Sequence, residues 1–317
     1  MIAGRISQAV AGAVGNIGGG LAPSGSGFGN GGTPAPATPA PQSSLELGGG
    51  GAAGEPGRRL ALWTNASNSW IANNQTGVNF AGTIQTAVIG ADYLFTDKII
   101  GGITGGYEHP DIHTKFNAGT FKGNNVAITP YAAYIIDDIF SVDATAGYTF
   151  VSYDITRSSN SITGSTDGHR LAGSADLNAN KTIDSWVLGS SLGASYLNEV
   201  QNAYTETGAG GTAVGQNDVR LGQAHLTGKA GYLVTQPWGS ITPYGSARME
   251  YDFNHNAAVV RDVQGDLASN SRFGTVFGLG ADAAVGNFTT LNLEGTTTQF
   301  RENVSAYMVS ASVRVKF

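Results

Sequence analysis

Tyr307-Met308-Val309-Ser310-Ala311-Ser312-Val313-Arg314-Val315-Lys316-Phe317 ends the chain. Read as an extended strand, it puts Tyr307, Val309, Ala311, Val313, Val315 and Phe317 on one side and Met308, Ser310, Ser312, Arg314 and Lys316 on the other. Successive side chains of a strand point to opposite faces, so this is a strand with one apolar and one polar face, and with an aromatic at each end of the apolar row. Such a face suits a strand that crosses a lipid bilayer, oily side outward and polar side toward a water-filled interior.

Working backward, the same period recurs. Phe140, Val142, Ala144, Ala146, Tyr148 and Phe150 alternate with Ser141, Asp143, Thr145, Gly147 and Thr149. Leu171 to Asn180 repeats the pattern around Arg170 and Asp176, and Trp186 to Tyr196 repeats it with Gly and Ser on the polar side. About twelve such segments begin near Leu60, Thr83, Lys98, Gly123, Ile139, Asp167, Ser185, Asp218, Gly239, Ser271, Phe288 and Val304. Each runs longer than a soluble-sheet strand and is long enough to cross a bilayer obliquely. After even-numbered segments the links are tight, as at Asp97-Lys98, Asp137-Asp138, Asp184-Ser185, Pro237-Trp238 and Gly286-Asn287. After odd-numbered ones most are longer and polar, at His109 to Lys122, Arg157 to Thr166, Val200 to Asn217 and Asn254 to Asn270. Short turns at one end and long loops at the other are the layout of an outer-membrane barrel. A sandwich or propeller would show no such alternation of loop length. The expected fold is therefore all-β: a transmembrane antiparallel β-barrel of about twelve strands over residues 58–317, in contact with outer-membrane lipid.

The polar sides carry Asp92, Glu108, Asp143, Arg170, Asp176, Lys229, Arg248, Glu250, Arg272, Asp282, Glu294, Arg314 and Lys316. These are expected to line the lumen, because an Arg or Lys facing lipid at mid-membrane would cost roughly 2–4 kcal/mol. Their mixed signs point to a cross-braced, hydrated interior rather than a channel selective for one sign of ion. Trp63, Trp70, Trp186, Trp238, Tyr307 and Phe317 are expected at the membrane interfaces.

Composition agrees. The 317 residues include 47 Gly and no Cys, with 13% charged residues and a net charge of −6. No run approaches the ~18 apolar residues of a membrane helix. Absence of Cys suits export through an oxidising compartment, and the acidic balance excludes nucleic acid as partner. Residues 1–17 carry Ile2, Ile6, Ala9, Val10, Ala13 and Ile17 at helical spacing and read as a short helix rather than a signal peptide. Residues 18–57 are rich in Gly, Pro and Ala, with Pro34, Pro36, Pro39 and Pro41 closely spaced, and read as a linker.

No cofactor, metal site or catalytic residue is expected. Gly189-Ser190-Ser191-Leu192-Gly193 spells a nucleophile elbow but lies mid-strand, where the required sharp turn is missing. Gly27 to Gly32 spells a dinucleotide fingerprint inside the linker. His109 and His113, with Pro110 and Asp111 between them, are expected on a loop and form no metal set.

Several pieces, in order, resemble the autotransporter β-domain, the translocator of type V secretion. They are Trp70 with its Asn-rich turn, Gly90-Ala91-Asp92-Tyr93, Gly105-Gly106-Tyr107, Thr129 to Tyr134, Asp143 to Tyr148, Val219 to Gln223, and Tyr251-Asp252-Phe253. The resemblance spans Leu60 to Phe317. It implies a monomeric twelve-stranded barrel in the outer membrane of a Gram-negative bacterium. The family's barrel helps export an N-terminal passenger, threaded through the pore, and assembles with the barrel-assembly machinery. The ending with Tyr307, Val313, Val315 and Phe317 is similar to the sorting signal that this machinery reads. The family's pore helix usually sits close before the first strand, whereas here Gly48 to Gly57 precede it; residues 1–17 are the candidate for that role. Nothing ahead of the barrel is long enough to be a passenger, so the chain reads as a translocator cut from a longer protein or one with almost no passenger. The Asn pairs Asn73-Asn74 and Asn124-Asn125 fall outside the pre-barrel segment, and no self-cleavage at Asn is expected. The alternative is a passenger-less pore or an adhesin acting through the loops Val200 to Asn217 and Asn254 to Asn270.

Overall fold

The computed structural model describes residues 59–74, 79–255 and 271–317. The expected helix over residues 1–17, the linker over 18–57 and nearly all of the expected loop Asn254 to Asn270 lie outside them. Twelve antiparallel strands follow one another around a ring. They are β1 (Leu60–Asn73), β2 (Phe80–Thr96), β3 (Ile99–Thr114), β4 (Gly119–Gly123 continued as Asn125–Ile135), β5 (Phe140–Arg157) and β6 (Ile162–Ile183). Then come β7 (Trp186–Gln201), β8 (Asn217–Tyr232), β9 (Gly239–His255), β10 (Phe273–Val285), β11 (Thr289–Gln299) and β12 (Val304–Lys316). Each pairs with its chain neighbours, and β12 closes on β1, from Ala61 opposite Lys316 to Asn73 opposite Val304. No strand edge remains in the ring, which is how a sheet in lipid satisfies its backbone without water.

The tight links fall where expected, at one end of the barrel. Local chemistry shapes them. The Asp137 carboxylate accepts the Ile139 and Phe140 amides at 2.8 Å each, and this holds its own pKa below the ordinary carboxylate value. Gly239 has φ 148°, and a Cβ there would come 1.9 Å from the Ala284 carbonyl oxygen, so only glycine fits.

The other end departs from the expectation. The long links at His109 to Lys122 and Arg157 to Thr166 shrink to residues 115–118 and 158–161, because their flanks continue as strand. Asp111 pairs in register with Lys122, their side chains 3.1 Å apart, and the β5–β6 ladder runs on to Arg157 opposite Ile162. Above the bilayer both faces of a strand can be wet. The alternation fades there while the backbone ladder persists, so polar strand looks like loop in sequence. His109 and His113 accordingly lie on β3, roughly 13 Å apart at strand rise.

The two faces separate cleanly. Tyr307, Val309, Val313 and Phe317 are exposed on the outside, whereas Ser310 and Arg314 are buried inside. Phe140, Val142, Tyr148, Phe150, Leu171, Leu177, Trp186, Leu188, Leu192 and Tyr196 extend the same outer belt. No helix of the described residues is long and apolar enough to cross a membrane; the strands provide the crossing.

Two features of the inside were not expected. Trp63 shares its face with Ala61 and Ser69, both fully buried, and donates its indole N–H to the Tyr131 hydroxyl at 3.0 Å. It belongs to the interior, not the interface. Gly90 makes room for it, since a Cβ there would lie 2.4 Å from the indole ring. Second, at the loop end the inward side chains of β1 to β5 are oily. Ile71, Phe80, Ile84, Ile112, Phe121, Val151, Tyr153 and Ile155 pack into one buried cluster, joined by Ala306 of β12. The strands overshoot the bilayer here and pack like a water-soluble core.

Candidate functional site: the inner wall of the barrel

Inward-facing charges gather into separate groups. The most buried centres on Arg170 of β6, whose Nε donates to Glu199 at 2.7 Å and whose two terminal nitrogens reach Glu108 at 3.1 and 3.3 Å. Tyr153 accepts a further bond from Arg170 at 3.1 Å, Asn125 donates to Glu108 at 2.7 Å, and Gln201 to Glu199 at 2.6 Å. Arg170 thus ties β6 to β3 over the two strands between them. One cation held between two carboxylates, with neutral donors on their remaining oxygens, is a satisfied network, the form in which buried charge is tolerated.

At the turn end Arg314 of β12 grips Asp92 of β2 through both carboxylate oxygens, at 2.6 and 2.5 Å, across β1. The Tyr131 hydroxyl donates to the same carboxylate at 2.9 Å. A third group joins Lys229 to Asp282 at 2.9 Å, with the ammonium 3.5 Å from the centre of the Tyr244 ring. Asn292 links the Tyr244 hydroxyl and Asp282 at 2.9 and 2.7 Å. A fourth lies near the loop-end mouth, where Arg301 holds Asp252 through two bonds of 2.7 and 2.9 Å and Glu250 takes Arg248 at 3.1 Å.

The fifth group is the least balanced. Asp143 and Asp176 stand directly opposite on β5 and β6. His225 bonds Asp176 at 2.7 Å and Asn178 bonds Asp143 at 2.6 Å. Gly193 of the intervening strand permits the reach, for a Cβ there would sit 2.1 Å from the Asp176 oxygen.

Of the thirteen charged residues singled out in the sequence, Asp92, Glu108, Arg170, Asp176, Lys229, Glu250, Asp282 and Arg314 are buried, and Asp143, Arg248, Glu294 and Lys316 are half-buried. Arg272 differs: it precedes the first residue of β10 and is exposed. The sequence reading missed Glu199, Asp252 and Arg301, which complete two of the networks. Glu199 sat beside an expected loop. Arg301 lies in the link between β11 and β12, where no period announces its direction. Ser191 is mid-strand in β7 and buried. Among the described residues no set of three His, Cys, Asp or Glu could hold a metal ion.

Outside the wall, the loop 202–216 forms a small hairpin, Tyr204–Thr205 against Ala213–Val214. Arg157 at the tip of β5 clamps it through Glu206, with bonds of 2.9 and 2.6 Å, and also donates to the Gly210 carbonyl at 2.8 Å. These bonds pull the Glu206 carboxyl down from 4.5 to about 2.

The fold is shared with solved translocators. The translocator domain of autotransporter NalP from Neisseria meningitidis superposes with a TM-score of 0.68 at 17% identity, covering 82% of this chain and 89% of that one. The beta domain of the Bordetella autotransporter BrkA gives 0.65 at 16%, covering 82% and 100%. The transport unit of AIDA-I from Escherichia coli gives 0.57 at 12%, covering 81% and 90%. No curated protein matches the sequence. The profile of the autotransporter beta-domain, however, matches residues 62–296, from the first strand through most of β11. The chain belongs to the autotransporter β-domain family, as an outer-membrane barrel.

Proposed function

We propose that this barrel anchors an N-terminal passenger in the outer membrane and assists its export to the cell surface. One observation supports this reading above the others: the family match spans nearly the whole of a closed ring whose inner wall is polar at mid-height. The segment passing through it belongs to the protein's own upstream chain. The inner charges, Asp92, Glu108, Asp143, Arg170, Asp176, Lys229, Arg248, Glu250, Asp282, Glu294, Arg314 and Lys316, meet that segment as a lining already engaged with itself for the most part, through ion pairs such as Arg314 with Asp92 and Lys229 with Asp282 and through neutral donors such as Asn178 on Asp143. A passing peptide finds hydration without a strong trap. The barrel works as a monomer. Tyr307, Val313, Val315 and Phe317 form the signal read by the barrel-assembly machinery. No catalytic step is assigned to it.

The test is a fusion of a signal peptide and an epitope ahead of the chain, expressed in a Gram-negative host. Protease added to intact cells should remove the epitope while the barrel survives. An epitope that stays protected in cells carrying folded, heat-modifiable barrel would overturn the export reading. Phe317→Ala should lower the amount of folded barrel in the membrane; equal amounts would remove Phe317 from the signal.

A further inference from the structure

Arg220 is an exposed cation on the outside of the barrel, among side chains that otherwise face lipid. Its place can be worked out from the ladder. Trp186 and Tyr232 pair at the turn end, their rings 5.4 Å apart on the outer face, and mark the lower membrane boundary. Arg220 lies on the same face of β8 twelve residues beyond Tyr232. That is ~40 Å of strand at ~3.4 Å per residue. At a tilt of ~40° it is ~31 Å of height, against an apolar band ~25 Å tall. Arg220 therefore stands just past the upper boundary, at headgroup level. Asn198 is its register partner, on the same outer face, and Leu171 is the next in the row.

Directly below lies a groove of about 810 Å³, bordered by Arg220, Asn198, Tyr196, Leu171 and Phe253. Its floor is low because Gly173 and Ala194 stand among the larger residues. Phe253 leans in over Gly222, where a Cβ would come 2.4 Å from the ring. Among the described residues Arg220 forms no ion pair; the Asn198 side-chain oxygen is buried without a hydrogen-bond partner, so the end of the amide that can meet an anion is its N–H₂ donor. The nearest acid on the same face, Asp218, is bonded by Gln216 at 3.2 Å. His169, on the neighbouring wall, is stacked on Tyr148. A cation and an amide at headgroup height over an apolar groove match one chemistry: an anionic headgroup on an acyl chain.

We propose that Arg220 and Asn198 bind the phosphate of an outer-leaflet lipid, one of whose chains lies in the groove between Tyr196, Leu171 and Phe253. The test uses the full chain folded in a non-ionic detergent, with dihexanoyl phosphatidic acid as probe and dihexanoyl phosphatidylcholine as control. Retention is read by native mass spectrometry across a titration. One phosphatidic acid should be retained in preference to the control. Arg220→Gln should weaken it about tenfold, the loss expected for a charge-assisted bond, and Arg220→Lys should lose less. Ala194→Phe fills the groove, leaves the cation in place and should also weaken retention. Lys181, an exposed cation on the outer face at the turn end of β6, provides the control Lys181→Gln, which should change nothing. Unchanged retention in Arg220→Gln, or an equal loss in Lys181→Gln, would overturn the proposal. Should Arg220→Gln not fold, unchanged retention in Ala194→Phe overturns it alone.

Discussion

At the loop end the interior has two walls of opposite character. On β1 to β5 it is oily, with Ile84, Ile112 and Phe121 fully buried. On β9 and the link from β11 to β12 it is ionic, built from Arg248, Glu250, Asp252 and Arg301. The Arg170 network sits at the border, with Tyr153 taking part in both the oily cluster and the polar one. The oily wall seals itself as a soluble core does, by close packing that admits no water. The ionic wall holds itself by directed bonds and keeps charge at the mouth. One ring of uniform backbone thus carries two ways of closing space, and they should fail differently.

Removing the border should cost most. Arg170→Ala strands two buried carboxylates and should destabilise the barrel by about 3–5 kcal/mol. The measurement is the urea midpoint of the heat-modifiable band. Neutralising Glu108 and Glu199 to Gln in the same chain should recover part of that loss; no recovery would mean that packing, not charge, is what Arg170 supplies. Next comes the oily wall, where Ile112→Ala should cost about 2–4 kcal/mol through the cavity it leaves. On the ionic wall, Arg301→Ala should cost less, about 1.5–3 kcal/mol, because water at the mouth can reach the stranded acids. If Arg301→Ala proved worse than Ile112→Ala, the ranking of the two walls would be reversed.

The smallest effect is on the hairpin outside. The Glu206 carboxyl is lowered from 4.5 to about 2 by the Arg157 bonds, so its clamp is complete above pH 4.5 and is lost as pH falls toward 2. Hydrogen exchange over residues 202–216 should speed up across that window while the strands stay protected. Arg157→Gln should already exchange fast at pH 6 and show little further change.

Much of this was legible in the sequence wherever lipid imposes one choice per residue. Val309 and Arg314 cannot trade faces within a membrane, so period two carries the register of β12 and, repeated, of the ring. The five tight links were equally plain, because residues such as Asp137 and Gly239 are needed by the turns themselves. Legibility ended at the membrane boundary. Asp111 and Lys122 look like loop although they pair across a ladder, since nothing there forces one face to be apolar. Trp63 looks like an interface residue until Gly90 and Tyr131, both distant in the chain, are seen to make its berth. The inner networks were readable as single charges but not as partnerships. Arg170 meets Glu108 over two intervening strands, a distance no local pattern encodes.

The junction of β1 with β12 has a consequence for how the protein comes into being. Ala61 finds its partner only when Lys316 has been made and delivered, so every earlier intermediate carries two raw hydrogen-bonding borders. Such borders invite pairing with whatever strand is near. Until β12 arrives, the barrel region is an adhesive ribbon that must be chaperoned, and only that strand turns it into a vessel.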